Sequence, residues 1–278
     1  MIRLTVLLVL IPVLAHALPR EPAVSRDQVA FIDSGQVWLV PRGGSSAQPL
    51  TRSPGLKFTP RFSPSGDSLA FGYNDAPGQV NLHVLPVRGG TASQVTFLYS
   101  HQQLTQWLPD GRLLFHTNSI SFQPTEMQLF TVPVTGGLPA LLPLAYGCDG
   151  AIDATGEWLA YTPQWPTSLI ENWKRYRGGA ARDVWLFNLR TRESRRVTDW
   201  EGTDLDPMWD GTTLYYVSDR GPEQRLNLWT YDLQTHQHRQ VTRFSGYDIR
   251  HPSIGPGAIV FELGPDLWLH DLENAAVR

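Results

Sequence analysis

The chain is built from short apolar runs in which buried-type and polar residues alternate, separated by turns rich in Gly, Pro and Asp. Alternation with a period of two predicts β-strands, and the turn residues predict hairpins between them. One motif recurs as an apolar position, a tight turn and a second apolar run. It is clearest in Arg61-Phe62-Ser63-Pro64-Ser65-Gly66-Asp67-Ser68-Leu69-Ala70-Phe71 and in Gln106-Trp107-Leu108-Pro109-Asp110-Gly111-Arg112-Leu113-Leu114-Phe115. Weaker copies run from Ala151 to Tyr161, from Met208 to Tyr216 and from Ser253 to Phe261. Pro109 presets φ for its turn and Gly111 accepts the left-handed conformation that closes it.

A second motif is an apolar run closed three residues after a key position. The key positions are Trp38, His83, Phe130, Trp185, Trp229 and Trp268, and the closures are Pro41, Pro86, Pro133, Asn188, Asp232 and Asp271. Four units then end on a threonine, at Thr51, Thr96, Thr198 and Thr242. Each unit therefore predicts four short strands, and helical periodicity is absent except around Leu169 to Tyr176. Repeats of this length, four strands each, predict an all-β, six-bladed β-propeller. The recurrent Trp and Phe are expected to pack between blades. The pattern predicts incomplete first and last blades. The first unit starts at Val29-Ala30-Phe31-Ile32, as if its inner strand were missing. The last aligns Arg278 with Arg239, so its outer strand only begins. That leaves 22 of an ideal 24 strands, which suggests a longer protein cut short at its C-terminus.

Residues 1–17 are set apart as a secretory signal. Arg3 precedes the apolar run Leu4–Leu14, and Ala15-His16-Ala17 places small residues at a cleavage site. The run is shorter than the ~20 residues that span a bilayer. The expectation is cleavage after Ala17, a periplasmic or secreted location, no membrane association afterwards, and one propeller over residues 18–278.

Composition narrows the function. With 41% hydrophobic and 11% aromatic residues the chain is too apolar to be disordered. A formal charge of −3 argues against nucleic acid as a partner. Cys148 is the single cysteine and reads as a buried, unreactive thiol. The sequence lacks His-Glu-x-x-His and Gly-x-Ser-x-Gly, and no nucleotide-binding glycine pattern is found. Asp204 and Asp206 could share a strand face, but no third ligand accompanies them. His236 and His238 read as a solvated outer-strand face, and Ser100-His101 as surface. No metal site, cofactor site or catalytic residue is assigned.

The least regular segment is an insertion in the fourth unit, from Pro163 to Asp183. Its candidate binding residues are Trp173, Lys174, Arg175, Tyr176 and Arg177. Three cations beside two aromatics suit a carboxylate, such as a peptide C-terminus, or an acidic partner surface. The segment equally suits a solvated, partly helical loop whose aromatics pack on the rim.

From this insertion onward the chain resembles the tricorn protease family. The resemblance rests on Glu171-Asn172-Trp173-Lys174-Arg175-Tyr176-Arg177-Gly178-Gly179, Val197-Thr198-Asp199-Trp200-Glu201-Gly202-Thr203-Asp204 and Pro207-Met208-Trp209. It continues in Leu214-Tyr215-Tyr216-Val217-Ser218-Asp219-Arg220, Asn227-Leu228-Trp229-Thr230-Tyr231-Asp232-Leu233 and Ile259-Val260-Phe261-Glu262. The first half matches the PD40-type repeat of TolB-like propellers more generally. The resemblance implies the N-terminal six-bladed propeller of a much longer serine peptidase, whose catalytic Ser, His and Glu lie in later domains. It transfers no catalytic residue to this chain. It implies a passage and docking surface for peptides or other protein domains, and leaves room for a homo-oligomer in the full-length form. The alternative is a stand-alone periplasmic interaction propeller of TolB type.

Overall fold

The computed structural model describes residues 18–121, 123, 126–163 and 174–278. The signal segment 1–17 and Trp173 lie outside the described residues. Among the described residues there is no helix, and six antiparallel sheets follow one another along the chain. Blade 1 holds β1 (Arg20–Val24), β2 (Gln28–Asp33), β3 (Gln36–Pro41) and β4 (Gln48–Pro49). Blade 2 holds β5 (Leu56–Phe62), β6 (Ser68–Ala76), β7 (Gln79–Pro86) and β8 (Ser93–Gln94). Blade 3 holds β9 (Gln102–Trp107), β10 (Arg112–Thr117), β11 (Gln128–Pro133) and β12 (Ala140–Leu141). Blade 4 holds β13 (Cys148–Ile152), β14 (Trp158–Thr162), β15 (Trp185–Asn188) and β16 (Ser194–Arg196). Blade 5 holds β17 (Asp204–Asp210), β18 (Thr213–Ser218), β19 (Asn227–Asp232) and β20 (His238–Gln240). Blade 6 holds β21 (Ile249–Gly255), β22 (Ala258–Leu263) and β23 (Asp266–Asp271).

The first blade corrects the sequence expectation. Its inner strand β1 is present and pairs antiparallel with β2, giving 23 strands among the described residues where 22 were expected. Arg20, Glu21 and Pro22 conceal its β-pattern, yet Ala23 and Val24 are buried as inner-strand residues should be. The last blade has three strands, as expected. Arg278 exchanges backbone hydrogen bonds with Leu269 at 2.7 and 3.0 Å, the pairing that Arg239 makes with Thr230 in blade 5.

Six apolar clusters fill the six seams between blades. Strand pleating explains how one strand serves two seams: Leu69 and Phe71 face blade 1, whereas Ala70 between them faces blade 3. Trp107, Trp158, Trp185, Trp209, Trp229 and Trp268 pack against these clusters, as expected for seam residues. The smallest cluster joins blade 6 to blade 1, through Val24, Val29, Ala258, Val260 and Leu269. Polar ties reinforce it: Arg42 donates to the carbonyls of Pro256 and Gly257 at 2.7 and 3.1 Å. Gly255 permits the approach, because a Cβ there would meet the Val24 carbonyl oxygen.

The recurrent threonines fasten four of the five outer strands to their blades. Thr51, Thr96, Thr198 and Thr242 accept from the backbone N–H of Val37, Leu82, Val184 and Leu228 at 2.8–2.9 Å. Thr242 also donates to Asn227 Oδ1 at 2.9 Å. Thr242→Val keeps the shape but leaves a buried N–H without its acceptor. It is expected to destabilise the domain by about 2 kcal/mol, lowering Tm by roughly 4–8 °C in a thermal melt.

Candidate functional site

Five of the six inner strands bulge at the same level. In each, two residues oppose one aromatic of the second strand. The pairs are Glu21-Pro22, Thr59-Pro60, Asp149-Gly150, Asp206-Pro207 and His251-Pro252, and they face Phe31, Phe71, Tyr161, Tyr216 and Phe261. The first residue of each pair has positive φ, between 42° and 51°. In four of the five a following proline disfavours the right-handed helical region there, and the surrounding sheet holds the strained alternative; Asp149 is followed by Gly150 instead. Blade 3 slips its register one step later, around Thr105, with no positive φ.

These bulges line the inner end of an axial cavity of about 580 Å³, to which all six blades contribute. Its other end lies among the hairpins that join first and second strands, near Pro64, Pro109 and Pro256. We call that face the bottom, and the face where inner strands begin the top. Arg61 reaches into the cavity, donating to the carbonyls of Thr105 and Pro60 at 2.8 Å. Burial lowers its pKa, against the opposing charges of Glu21 and Asp206. Beside it the Thr59 hydroxyl is buried without a hydrogen-bond partner.

Buried charge lies towards the top face. Arg182, 1% exposed, donates to Asp149 at 3.0 Å. His116 accepts from the Asp149 N–H at 3.2 Å, and burial outweighs the nearby carboxylate to bring its pKa down to about 4. Asp204 pairs with Arg220 at 2.9 Å, yet burial raises its pKa to about 6. Asp204 is thus spent on an ion pair, and no three His, Cys, Asp or Glu side chains converge as metal ligands among the described residues. Cys148 is buried, its thiol pKa pushed up by desolvation.

The insertion joins β14 to β15 on the top face. Lys174 lies 3.5 Å from Asp248, and Arg175 Nε donates to the Gln224 carbonyl at 3.4 Å. Arg177 donates to Asp219 at 2.7 Å, lies 3.8 Å from Glu201 and stacks over the Trp200 ring at 5.1 Å. Tyr176 is exposed. Four of the five candidate residues are therefore brought together, and their cations reach across loops of blades 5 and 6. Lys174 and Arg175 line a small space of about 50 Å³ that shares Asp206 and His251 with the axial cavity. Of the two outer histidines, His236 is exposed just before β20, its ring bonded to the Tyr231 hydroxyl at 2.6 Å, whereas His238 is half-buried and bonds the Tyr216 hydroxyl at 2.9 Å. Ser100 is buried, bonded to Thr117 at 2.9 Å, while His101 is exposed. Sequence reasoning missed the axial residues. The signal available was a proline or glycine recurring at one level of each inner strand, behind Glu21, Thr59, Asp149, Asp206 and His251.

Comparison with known proteins matches residues 16–276 to the model of the tricorn protease N-terminal beta propeller domain. The chain belongs to this family. It is 29% identical over 267 residues to tricorn protease homolog 1 of Streptomyces coelicolor, covering 95% of this chain and 24% of that protein. It is 25% identical over 259 residues to the tricorn protease homolog of Saccharolobus solfataricus, covering 91% of this chain and 23% of the relative. The chain thus spans about a quarter of the length of the curated relatives it matches. Among solved structures, tricorn protease superposes with a TM-score of 0.80 at 18% identity, over 95% of this chain and 26% of that one. A putative TolB from Agrobacterium tumefaciens superposes with a TM-score of 0.59 at 14% identity, over 94% of this chain and 80% of that one. At these identities both likenesses concern the fold.

Proposed function

We propose that this propeller serves a tricorn-type serine peptidase outside the cytoplasm, docking peptides in its axial cavity and passing them along the axis. Chemistry is assigned to other parts of such a polypeptide. One observation carries the reading: a single cavity of about 580 Å³ is walled by all six inner strands. Its wall includes Arg61, whose guanidinium suits the carbonyls and carboxylates of a peptide. The cations Lys174, Arg175 and Arg177 stand at the top face as a docking rim. The apolar leader Leu4–Leu14 with Ala15-His16-Ala17 supports export.

The test is fluorescence anisotropy with a labelled, unstructured ten-residue peptide. Gln103 lines the cavity and is half-exposed. Gln103→Trp narrows the passage and is expected to weaken binding at least about tenfold. Gln237→Trp, on an exposed outer hairpin, is expected to leave it unchanged. The chain alone is expected to leave the peptide intact. Binding that ignores Gln103→Trp, or turnover by this chain, overturns the proposal.

A further inference from the structure

The outer strands are fastened by one repeated set of bonds. In blade 5 the Leu228 carbonyl accepts from the Val241 N–H at 2.8 Å and from the Thr242 N–H at 3.3 Å. The Thr242 hydroxyl accepts from the Leu228 N–H and donates to Asn227 Oδ1, both at 2.9 Å. Blades 1, 2 and 4 repeat every one of these bonds, through Leu50-Thr51, Val95-Thr96 and Val197-Thr198. The apolar member of each pair enters the seam to the next blade. The residues bonded to it, Val37, Leu82, Val184 and Leu228, are each 0% exposed.

Blade 6 presents the same groups to solvent. Trp268 aligns with Trp229, so Leu267 takes the place of Leu228 and Asp266 that of Asn227. Val277 and Arg278 pair with His270 and Leu269. Among the described residues, no strand pairs with the outer side of Leu267. Leu267 is half-exposed and Asp266 is exposed. Neither Leu267 nor any residue outside it joins the apolar cluster between blades 6 and 1, which accounts for the small size of that cluster.

We propose that this open edge binds an extended polypeptide segment in which an apolar residue precedes threonine. Adding a strand to an edge supplies main-chain bonds, and alternate side chains supply the selectivity. The Leu267 carbonyl accepts from both N–H groups of the pair. The Leu267 N–H donates to the threonine hydroxyl, which donates in turn to the Asp266 carboxylate. The apolar side chain covers Leu267 and fills the seam. Four copies of this recognition already exist within the chain, so the required ligand is defined by bonds that it makes to itself. The seam concerned is the one that closes the ring, so binding there also ties blade 6 to blade 1.

The probe is a fluorescent pentapeptide copying Gln240–Phe244, with both termini blocked, titrated into the purified chain and read by anisotropy. Binding is expected to saturate below about 1 mM. Replacing the peptide's threonine by valine keeps its shape but removes the hydroxyl, and is expected to weaken binding at least about tenfold. On the protein, Asp266→Ala is expected to weaken it at least about threefold. Asp266 is exposed, so circular dichroism and Tm are expected to match the parent. Hydrogen exchange locates the site: at saturation the amides of Leu267 and of β1 are expected to gain protection. No saturation by about 1 mM, equal binding of the threonine and valine peptides, or protection gained only elsewhere in the ring overturns the proposal.

Discussion

Arg182→Met is expected to destabilise the propeller by about 3–5 kcal/mol, a fall of roughly 6–20 °C in Tm. Arg182 is almost fully buried and holds the Asp149 carboxylate at 3.0 Å. Methionine fills similar volume but supplies no charge and no donor. His116 Nδ1 lies 3.9 Å from the carboxylate. Burial has already pushed His116 down to about 4, so near neutrality it carries no charge to offer. The carboxylate is left in a low-dielectric wall facing the axis, where desolvation is costly. Neutralising it is therefore expected to repair the damage. Asp149 sits at φ 50°, a conformation that Asn tolerates well, so the partner substitution is Asp149→Asn. The double variant Arg182→Met/Asp149→Asn is expected to regain more than half of the lost stability in urea titration. A Tm within about 2 °C of the parent for Arg182→Met alone would show that the pair is not structural.

Glu262→Ala is expected to cost about 2–4 kcal/mol and to loosen one seam before the others. Glu262 is the polar clasp of the ring. Its Oε1 accepts from the Glu21 N–H at 2.6 Å and from His251 at 2.7 Å, joining the last blade to the first. This seam has the smallest apolar cluster, so less packing remains when the clasp is lost. Native-state hydrogen exchange distinguishes the outcomes. Amides of β1 and β21 are expected to lose protection before those of blades 2 to 5. Uniform loss across all six blades would refute seam-first opening. The effect depends on pH with a definite sign. Burial alone would raise the Glu262 pKa, but hydrogen bonds from His251 and Glu21, with the charges of His251 and Arg20, outweigh it. The carboxyl is held below its ordinary 4.5. A carboxyl lowered on folding contributes fully above its unfolded value, and that contribution is lost as pH falls through the folded one. The stability gap between parent and Glu262→Ala is therefore expected to narrow in acid.

Much of the blade architecture is local and so was legible. Hairpin turns such as Pro109-Asp110-Gly111 and the period-two runs are read within ten residues of chain. The closing threonines were visible as well, although their purpose was not: Thr242 and Leu228 meet only when the outer strand folds back. Strand β1 escaped notice because two charged residues and a proline occupy three of its five positions. Those residues are polar for a reason the sequence cannot display. The Glu21 carboxylate accepts from the Thr59 N–H of blade 2, and Arg20 lies 3.8 Å from the Glu262 carboxylate of blade 6.

The candidate loop shows the same division. Its cations were conspicuous in the sequence, but their partners Asp219, Gln224 and Asp248 lie 42 to 74 residues further on. The axial residues were less conspicuous still, being single positions spaced a blade apart.

The sequence by itself determined the repeat, the four-stranded unit and the number of blades, because hairpins are built from neighbouring residues and the pleat sets their two faces. It also marked the tricorn kinship, through runs of residues kept in one order. Only the tertiary structure decided what lines the axis, which charges pair and how the ring closes. Each of those depends on residues from different blades, and circular closure alone brings Glu262 to Glu21 across 241 positions of chain.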